Sequence, residues 1–212
     1  SIIDDRYGIP FSSFDKGEIE QLLERLIPIH VFDKQHYHVD QILEHIAKQY
    51  PDLIVIFLIK RMGYSKASSN GVREYAPLPY TGFHANLFDP TKLQEPQKYI
   101  RQVRDLSCDV KNIDTFWLPK LFQTVSGNYS LESIVVLSEW IDSRANEKLI
   151  GVSLLLREAD QGFLFNQYEF IGRLIYESSM VSSECLKHVE SNLFGVAVSG
   201  GSTSWPCGSR WT

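Results

Sequence analysis

The pattern that decides the fold is clearest between residues 130 and 156, which read SLESIVVLSEWIDSRANEKLIGVSLLL. Apolar residues recur there at the three- and four-residue spacing of an amphipathic helix, first over 131–141 and again over 149–155. The polar residues 142–146 between the two runs indicate a short link. The stretch therefore predicts two helices joined by a turn, with one apolar face each.

Similar helix pairs are predicted on both sides of this stretch. The three pairs begin near Gln94, Ser130 and Leu164. A helix pair that restarts at an interval of roughly 34 residues is typical of an α-solenoid, in which each unit buries its apolar face only against its neighbours. The sequence therefore predicts an all-α fold, with antiparallel helix pairs stacked as a short right-handed α-solenoid.

The N-terminal part of the chain also predicts helices. Residues 15–18 read Asp-Lys-Gly-Glu, which is the pattern of a helix capping box, and further helices are predicted from about His38 and from Pro51. The run 53–59 is apolar on every side, which fits either a buried helix or a buried strand. The residues 60–63, Lys-Arg-Met-Gly, read as a helix stop and favour the helix, whereas the Val, Ile and Phe content keeps the strand open.

The regular pattern disappears between about residues 63 and 90, and we predict an irregular insertion there. Long loops inside compact domains are uncommon and often functional, and a proline-rich segment can present a polyproline helix to a partner. The prolines of this segment are explained either by presentation of a polyproline helix to a partner or by a proline-stiffened connector. The candidate partner-binding residues of this segment are Tyr75, Pro77, Pro79 and Tyr80.

These patterns divide the chain into three parts. We predict an irregular segment over 1–14, a helical-repeat domain over 15–195 that contains the insertion, and a flexible tail over 196–212. The tail is low in apolar residues and rich in Gly and Ser.

The two helices per unit, the short polar turn within each pair and the apolar spacing over 130–194 resemble HEAT-like α-helical repeats. The motifs diagnostic of tetratricopeptide and ankyrin repeats are absent. The resemblance implies a function that such repeats share, the presentation of an extended surface to another macromolecule. The leading hypothesis is a protein-interaction module, a scaffold or recognition domain for a protein or peptide partner, alone or within a larger protein.

Composition bears on the alternatives. The net charge of −5 and the pI of about 5.7 disfavour a nucleic-acid footprint, although Lys98, Arg101 and Arg104 follow one predicted helix face. A nucleic-acid-binding repeat that uses these three residues is the second hypothesis.

Three scattered cysteines without a CxxC pair predict a reduced, cytoplasmic setting. The apolar run 53–59 is too short to cross a bilayer, so no membrane partner is predicted.

No phosphate-binding, dinucleotide-binding or nucleophile-elbow motif occurs, so we predict no enzyme and no cofactor. A third hypothesis, a metal-dependent enzyme, depends on the histidines and carboxylates between residues 30 and 45, since both are ligands of divalent metals. This cluster comprises His30, Asp33, His36, His38, Asp40, Glu44 and His45. On one helix, however, His38 and His45 would lie about 10 Å apart along the axis, which favours exposed histidines around a turn.

Overall fold

The computed structural model describes residues 14–29, 37–68, 75–78, 92–108 and 114–198. Within these ranges the chain is helical with short connections and no strand, so the predicted all-α class is confirmed there. The helices are α1 Lys16–Leu26, α2 Tyr37–Gln49, α3 Pro51–Ser68, α4 Pro96–Asp105, α5 Leu118–Val125, α6 Leu131–Asp142, α7 Asn146–Leu155, α8 Gln161–Asn166, α9 Tyr168–Val181 and α10 Ser183–Val198. Short 3-10 helices, Leu106–Cys108 and Leu156–Glu158, follow α4 and α7.

The helices pack in consecutive pairs. Three of these pairs begin at Pro96, Leu131 and Tyr168, close to the starts predicted near Gln94, Ser130 and Leu164. The pairs are α2 with α3, α4 with α5, α6 with α7, and α9 with α10. The main contacts between pairs join α3 to α5, α4 to α6 and α7, α5 to α7, α6 to α9, and α7 to α9 and α10. Each pair therefore packs mainly on the pair before it and the pair after it.

The centre of the core is α7, which contacts helices of three pairs. Leu149, Val152 and Leu155 are fully buried there. A Cβ atom on Gly151 would lie 2.7 Å from Ser107 Oγ and 2.9 Å from Trp140 Cζ3. The glycine is therefore needed for the close approach of α7 to α6 and to the 3-10 turn after α4.

Two predictions about the N-terminal helices are confirmed. Asp15 caps α1, since the Glu18 backbone N–H donates to Asp15 Oδ1 at 2.8 Å and the Asp15 N–H donates to Glu18 Oε2 at 2.9 Å. The apolar run 53–59 lies in a helix, and that helix begins at Pro51 as predicted. Of the described helices, none combines the length and apolarity needed to cross a bilayer.

The predicted helix stop at 60–63 is wrong, because α3 continues to Ser68. Arg61 is fully buried and Lys60 forms an ion pair with Glu24 of α1, so both cations serve contacts with other parts of the chain. Gly63 is exposed inside the helix, where its cost is modest. The helix consequently extends past residue 63, where the irregular insertion was predicted to begin, and residues 69–74 and 79–91 lie outside the described residues.

Three further boundaries differ from the predictions. The apolar pattern over 113–125 predicts one helix that Pro119 bends, whereas α5 begins at Leu118 and Pro119 lies in its first turn, where its missing N–H is tolerated. A short helix that the sequence analysis missed, α8, begins after Asp160, whose side chain accepts a hydrogen bond from the Phe163 N–H at 2.6 Å. The last helix runs past residue 195 to Val198, while 1–13 and the rest of the predicted tail lie outside the described residues.

Candidate partner-binding site

The predicted polyproline site does not form an exposed surface where the structure describes it. Tyr75 is 7% exposed and Pro77 is also buried, so neither side chain is available to a partner. Pro79 and Tyr80 lie outside the described residues. The described part of the insertion, 75–78, is core.

A buried arginine explains why this segment is internal. Arg61 donates hydrogen bonds to five backbone carbonyls: Nε to Pro77 at 2.9 Å, Nη2 to Ala76 at 2.6 Å, and Nη1 to Leu26, Ile27 and Ile29 at 2.9 Å each. Its guanidinium carbon lies 4.7 Å from the ring centroid of Tyr75. Burial lowers the pKa of Arg61 to about 10, so the group remains charged at neutral pH. Arg61 thereby joins the C-terminal end of α1 to residues 75–78.

The Tyr75 hydroxyl supports the same junction. It donates to the Ile27 carbonyl, and burial raises the pKa of Tyr75 to about 12, so it stays protonated at neutral pH. A phenol and a guanidinium thus converge on the last carbonyls of α1, which no intrahelical N–H can satisfy.

The three basic residues of the nucleic-acid hypothesis lie together on α4, but all are paired with acids. Lys98 Nζ lies 3.0 Å from Glu95 Oε2, and Arg101 Nη2 lies 2.5 Å from Glu139 Oε1. Arg104, only 7% exposed, lies 2.7 Å from Glu139 Oε2 and donates to the Val136 carbonyl at 2.8 Å. Arg101 and Arg104 therefore link α4 to α6, whereas Lys98 pairs with the residue that precedes its own helix. The binding of nucleic acid by these three residues stays a prediction.

The Glu139 cluster predicts a stability contribution that is lost in acid. Hydrogen bonds from Arg101 and Arg104 lower the pKa of Glu139 to about 2, below the roughly 4.3 of an unperturbed glutamate. The contribution is present above pH 4.3 and is lost as the pH falls through 2, because the unfolded chain binds the proton first. We expect Glu139→Gln to lower the free energy of unfolding by about 1 kcal/mol at pH 7, since the carboxylate is partly exposed. Urea unfolding at pH 7 and pH 2.5 checks this; a difference between variant and wild type that does not shrink in acid contradicts it.

The histidine cluster of the metal hypothesis is only partly described. His30, Asp33 and His36 lie outside the described residues, and His38 and His45 both fall within α2, as expected from the sequence. Among the described side chains, no group of three or more potential ligands is placed to bind a metal. The cluster as a whole stays a prediction.

A groove between α1 and α3, which the sequence analysis did not predict, is the best candidate for a binding site. It encloses about 470 Å³. Its apolar lining comes from both helices, namely Leu23, Ile27, Leu53, Ile56 and Phe57. Its polar lining comprises Glu20, Gln21, Glu24 and Lys60, with Gly17 at one end.

The apolar lining of the groove includes one exposed residue of the apolar run 53–59 of α3. Helices that are apolar on all sides are normally buried on all sides. In α3 the neighbouring Val55 and Phe57 are buried, whereas Ile56 is 37% exposed and lines the groove. Among the described residues, the groove is therefore where the apolar run 53–59 is left partly uncovered.

The polar lining of the groove has an acidic bias. Lys60 pairs with Glu24, and both side chains are about half exposed. No ion pair joins Glu20 to another of the described residues. Within the described part of the chain, the groove consequently offers one carboxylate without an ion-pair partner next to an apolar floor.

A second exposed apolar surface lies on α9. Tyr168, Tyr176 and Met180 are 66%, 59% and 66% exposed, and Gly172 lies between the two tyrosines on the same helix face. We call these four residues the α9 stripe. The sequence predicts that Trp117, Trp140 and Tyr168 are either buried in the core or anchor a ligand. The two tryptophans are buried, whereas Tyr168 is exposed.

The sequence carries a local signal for the α9 stripe, namely two tyrosines eight residues apart with a glycine midway between them. The groove has no such signal, because it depends on α1 and α3 lying side by side. Comparison of the chain with known proteins found no matching family model, no similar curated protein and no similar solved structure. The likeness to HEAT-like repeats therefore depends on the helix pattern alone.

Proposed function

We propose that this chain is a protein-interaction module whose α1–α3 groove binds a basic, amphipathic segment of another protein. The open apolar groove is the observation that carries the proposal. Docking of an amphipathic helix into a hydrophobic groove is a common mode of peptide recognition. The arrangement that we propose for the domain is a short right-handed α-solenoid, which the neighbour-to-neighbour packing of the helix pairs supports.

The apolar face of the partner follows from the floor of the groove. Its volume of about 470 Å³ has room for a few aliphatic side chains. Covering Ile56, which is exposed within the apolar run 53–59, would gain roughly 25 cal/mol per Å² of apolar surface removed from water. An occupant with apolar side chains on one face therefore fits.

The basic character of the partner follows from the polar lining. A Lys or Arg that flanks the apolar face could pair with Glu20, whereas an acidic partner would face both Glu20 and Glu24. Such charges at the edge of an interface contribute modestly to affinity and more strongly to the choice of partner.

Two variants test the groove with defined probes. The probes are helical peptides of about 18 residues with the same leucine face, in which the polar face carries either lysine or glutamate. We expect the wild-type protein to bind the lysine peptide, Ile56→Asp to weaken that binding at least about tenfold, and Glu20→Lys to weaken it about threefold. Fluorescence anisotropy of labelled peptides measures the affinities, and circular dichroism verifies that both variants fold.

Leu131→Asp provides the matched control, because Leu131 is 73% exposed on α6 and does not line the groove. This variant should bind the lysine peptide as tightly as the wild type does. Equal binding by Ile56→Asp and the wild type, or equal affinity for the lysine and glutamate peptides, would contradict the proposal.

A further inference from the structure

Two residues of the groove lining, Ile27 of α1 and Phe57 of α3, contact the same side chain behind the groove. That side chain is Arg61, whose Nη1 donates to the Ile27 carbonyl at 2.9 Å and whose guanidinium carbon lies 5.7 Å from the centroid of the Phe57 ring. We call Ile27 and Phe57 the lining pair. Arg61 is fully buried, so it supports the groove from behind and is not itself available to a partner.

The position of Ile27 is not determined by α1 alone. Ile27 is the C-terminal capping residue of α1. The carbonyls at the end of a helix have no intrahelical donor, so donors from other parts of the chain fix where the end lies. Arg61 also donates to the carbonyls of Leu26 and Ile29, at 2.9 Å each. The distance between the two members of the lining pair therefore depends on side-chain hydrogen bonds to the end of α1.

Tyr75 joins residues 75–78 directly to the same point of α1. Its hydroxyl donates to the Ile27 carbonyl, the carbonyl that Arg61 also holds. Its ring lies 4.7 Å from the Arg61 guanidinium carbon and 5.3 Å from the centroid of the Tyr64 ring, both on α3. The ring of Tyr75 is thus packed on α3 while its hydroxyl holds the end of α1, and Tyr75 itself does not line the groove.

We propose that Tyr75 is a positioning residue for the α1–α3 groove: through the Ile27 carbonyl it sets the spacing of the lining pair, and residues 75–78 thereby control how tightly the groove binds its partner. The inference rests on the function proposed above, the binding of a basic, amphipathic segment in this groove. It adds a residue that acts on the partner without touching it.

The size of the groove makes its affinity sensitive to such a displacement. A volume of about 470 Å³ holds few side chains, so each of them contributes a large share of the contacts. A gap of about 0.5–1 Å between two apolar surfaces already forfeits roughly a quarter to a half of their dispersion energy. A small movement of Ile27 away from Phe57 should therefore be measurable as weaker binding.

Tyr75→Phe tests the proposal, because it keeps the ring and removes the hydroxyl that holds Ile27. We expect the affinity for the lysine peptide to fall about threefold to tenfold. Fluorescence anisotropy measures it, at a temperature at which circular dichroism shows the variant to be folded. A purely structural role of Tyr75 would lower the melting temperature and leave the affinity of the folded protein unchanged.

Tyr129→Phe is the matched control. The hydroxyl of Tyr129 is also buried and also donates to a backbone carbonyl, that of Leu155 at 3.0 Å, but Tyr129 does not line or contact the groove. Both variants lose one hydrogen bond from a buried phenol, so both should melt a few degrees below the wild type. Tyr129→Phe should nevertheless bind the lysine peptide as tightly as the wild type does.

A double-mutant cycle tests whether Tyr75 acts through Ile27. In the Ile27→Ala background, Tyr75→Phe should change the affinity by less than about twofold, because the side chain that it positions is already shortened. In the Ile56→Ala background it should keep its full effect, because Ile56 lines the groove from within α3.

The outcomes distinguish this inference from the proposed function. A wild type that does not bind the lysine peptide contradicts both. If the wild type binds, three results overturn the positioning role alone: equal affinity of Tyr75→Phe and the wild type, an equal loss of affinity in Tyr129→Phe, or the same effect of Tyr75→Phe in the Ile27→Ala and Ile56→Ala backgrounds.

Discussion

Replacing Arg61 with methionine is expected to lower the free energy of unfolding by about 3–5 kcal/mol. Methionine fills a similar volume but donates no hydrogen bond, so all five carbonyls that Arg61 contacts lose this donor. The bonds to Ala76 and Pro77 are buried, and each buried acceptor left without a partner costs roughly 1–3 kcal/mol. The junction between the end of α1 and residues 75–78 depends on these bonds.

Lys60→Met is the matched control, because it removes the neighbouring cation of the same helix. Lys60 is half exposed and makes one ion pair with Glu24. Its replacement should change the free energy of unfolding by less than about 1 kcal/mol. Urea unfolding monitored by circular dichroism at 222 nm measures both variants.

Arg61→Lys separates charge from geometry. Lysine keeps the positive charge but carries its three donors on one nitrogen. It therefore cannot reach both the carbonyls at the end of α1 and those of residues 76 and 77, as the planar guanidinium does. We expect it to recover less than half of the loss seen with methionine. A lysine variant as stable as the wild type, or a methionine variant as stable as Lys60→Met, would show that the carbonyl contacts of Arg61 are not needed.

The part of the fold that the sequence predicted correctly depends on local patterns. The capping box at Asp15, the helix start at Pro51 and the beginnings of the helix pairs each follow from residues within a few positions of one another. The helical state predicted for 53–59 is confirmed, although the helix stop predicted at 60–63 is wrong. Contacts of Lys60 and Arg61 with other elements outweighed the local signal.

The candidate sites could not be derived from the sequence because they depend on residues far apart in the chain. Lys98, Arg101 and Arg104 look like a positive face in isolation, and only the packing of α6 on α4 brings Glu139 to two of them. The burial of Tyr75 likewise depends on Arg61 and on the end of α1. The groove needs α1 and α3 side by side, and no local pattern reports how completely α3 is covered.

A large loss of stability is also expected when Gly151 is replaced by a residue with a side chain. A Cβ atom there would lie 2.7 Å from Ser107 Oγ and 2.9 Å from Trp140 Cζ3. Neither group is free to move, because the Ser107 hydroxyl donates to the Arg104 carbonyl at 2.8 Å and the Trp140 ring has the Arg104 guanidinium 4.7 Å from its centroid. We expect Gly151→Ala to lower the free energy of unfolding by about 1–3 kcal/mol and Gly151→Val by about 3 kcal/mol or more.

Gly63→Ala should instead raise the free energy of unfolding by about 0.5–1 kcal/mol, because alanine gains helix propensity there without a clash.

A double variant locates the clash at Gly151. Ser107→Ala removes the nearest atom, so Gly151→Ala combined with Ser107→Ala should be less destabilised than the sum of the two single changes. Urea unfolding of the four proteins of this cycle measures the coupling. If Gly151→Ala stabilised the chain as Gly63→Ala does, α7 would not pack as closely against Trp140 and Ser107 as the structure shows, because helix propensity alone makes alanine the better residue at both positions.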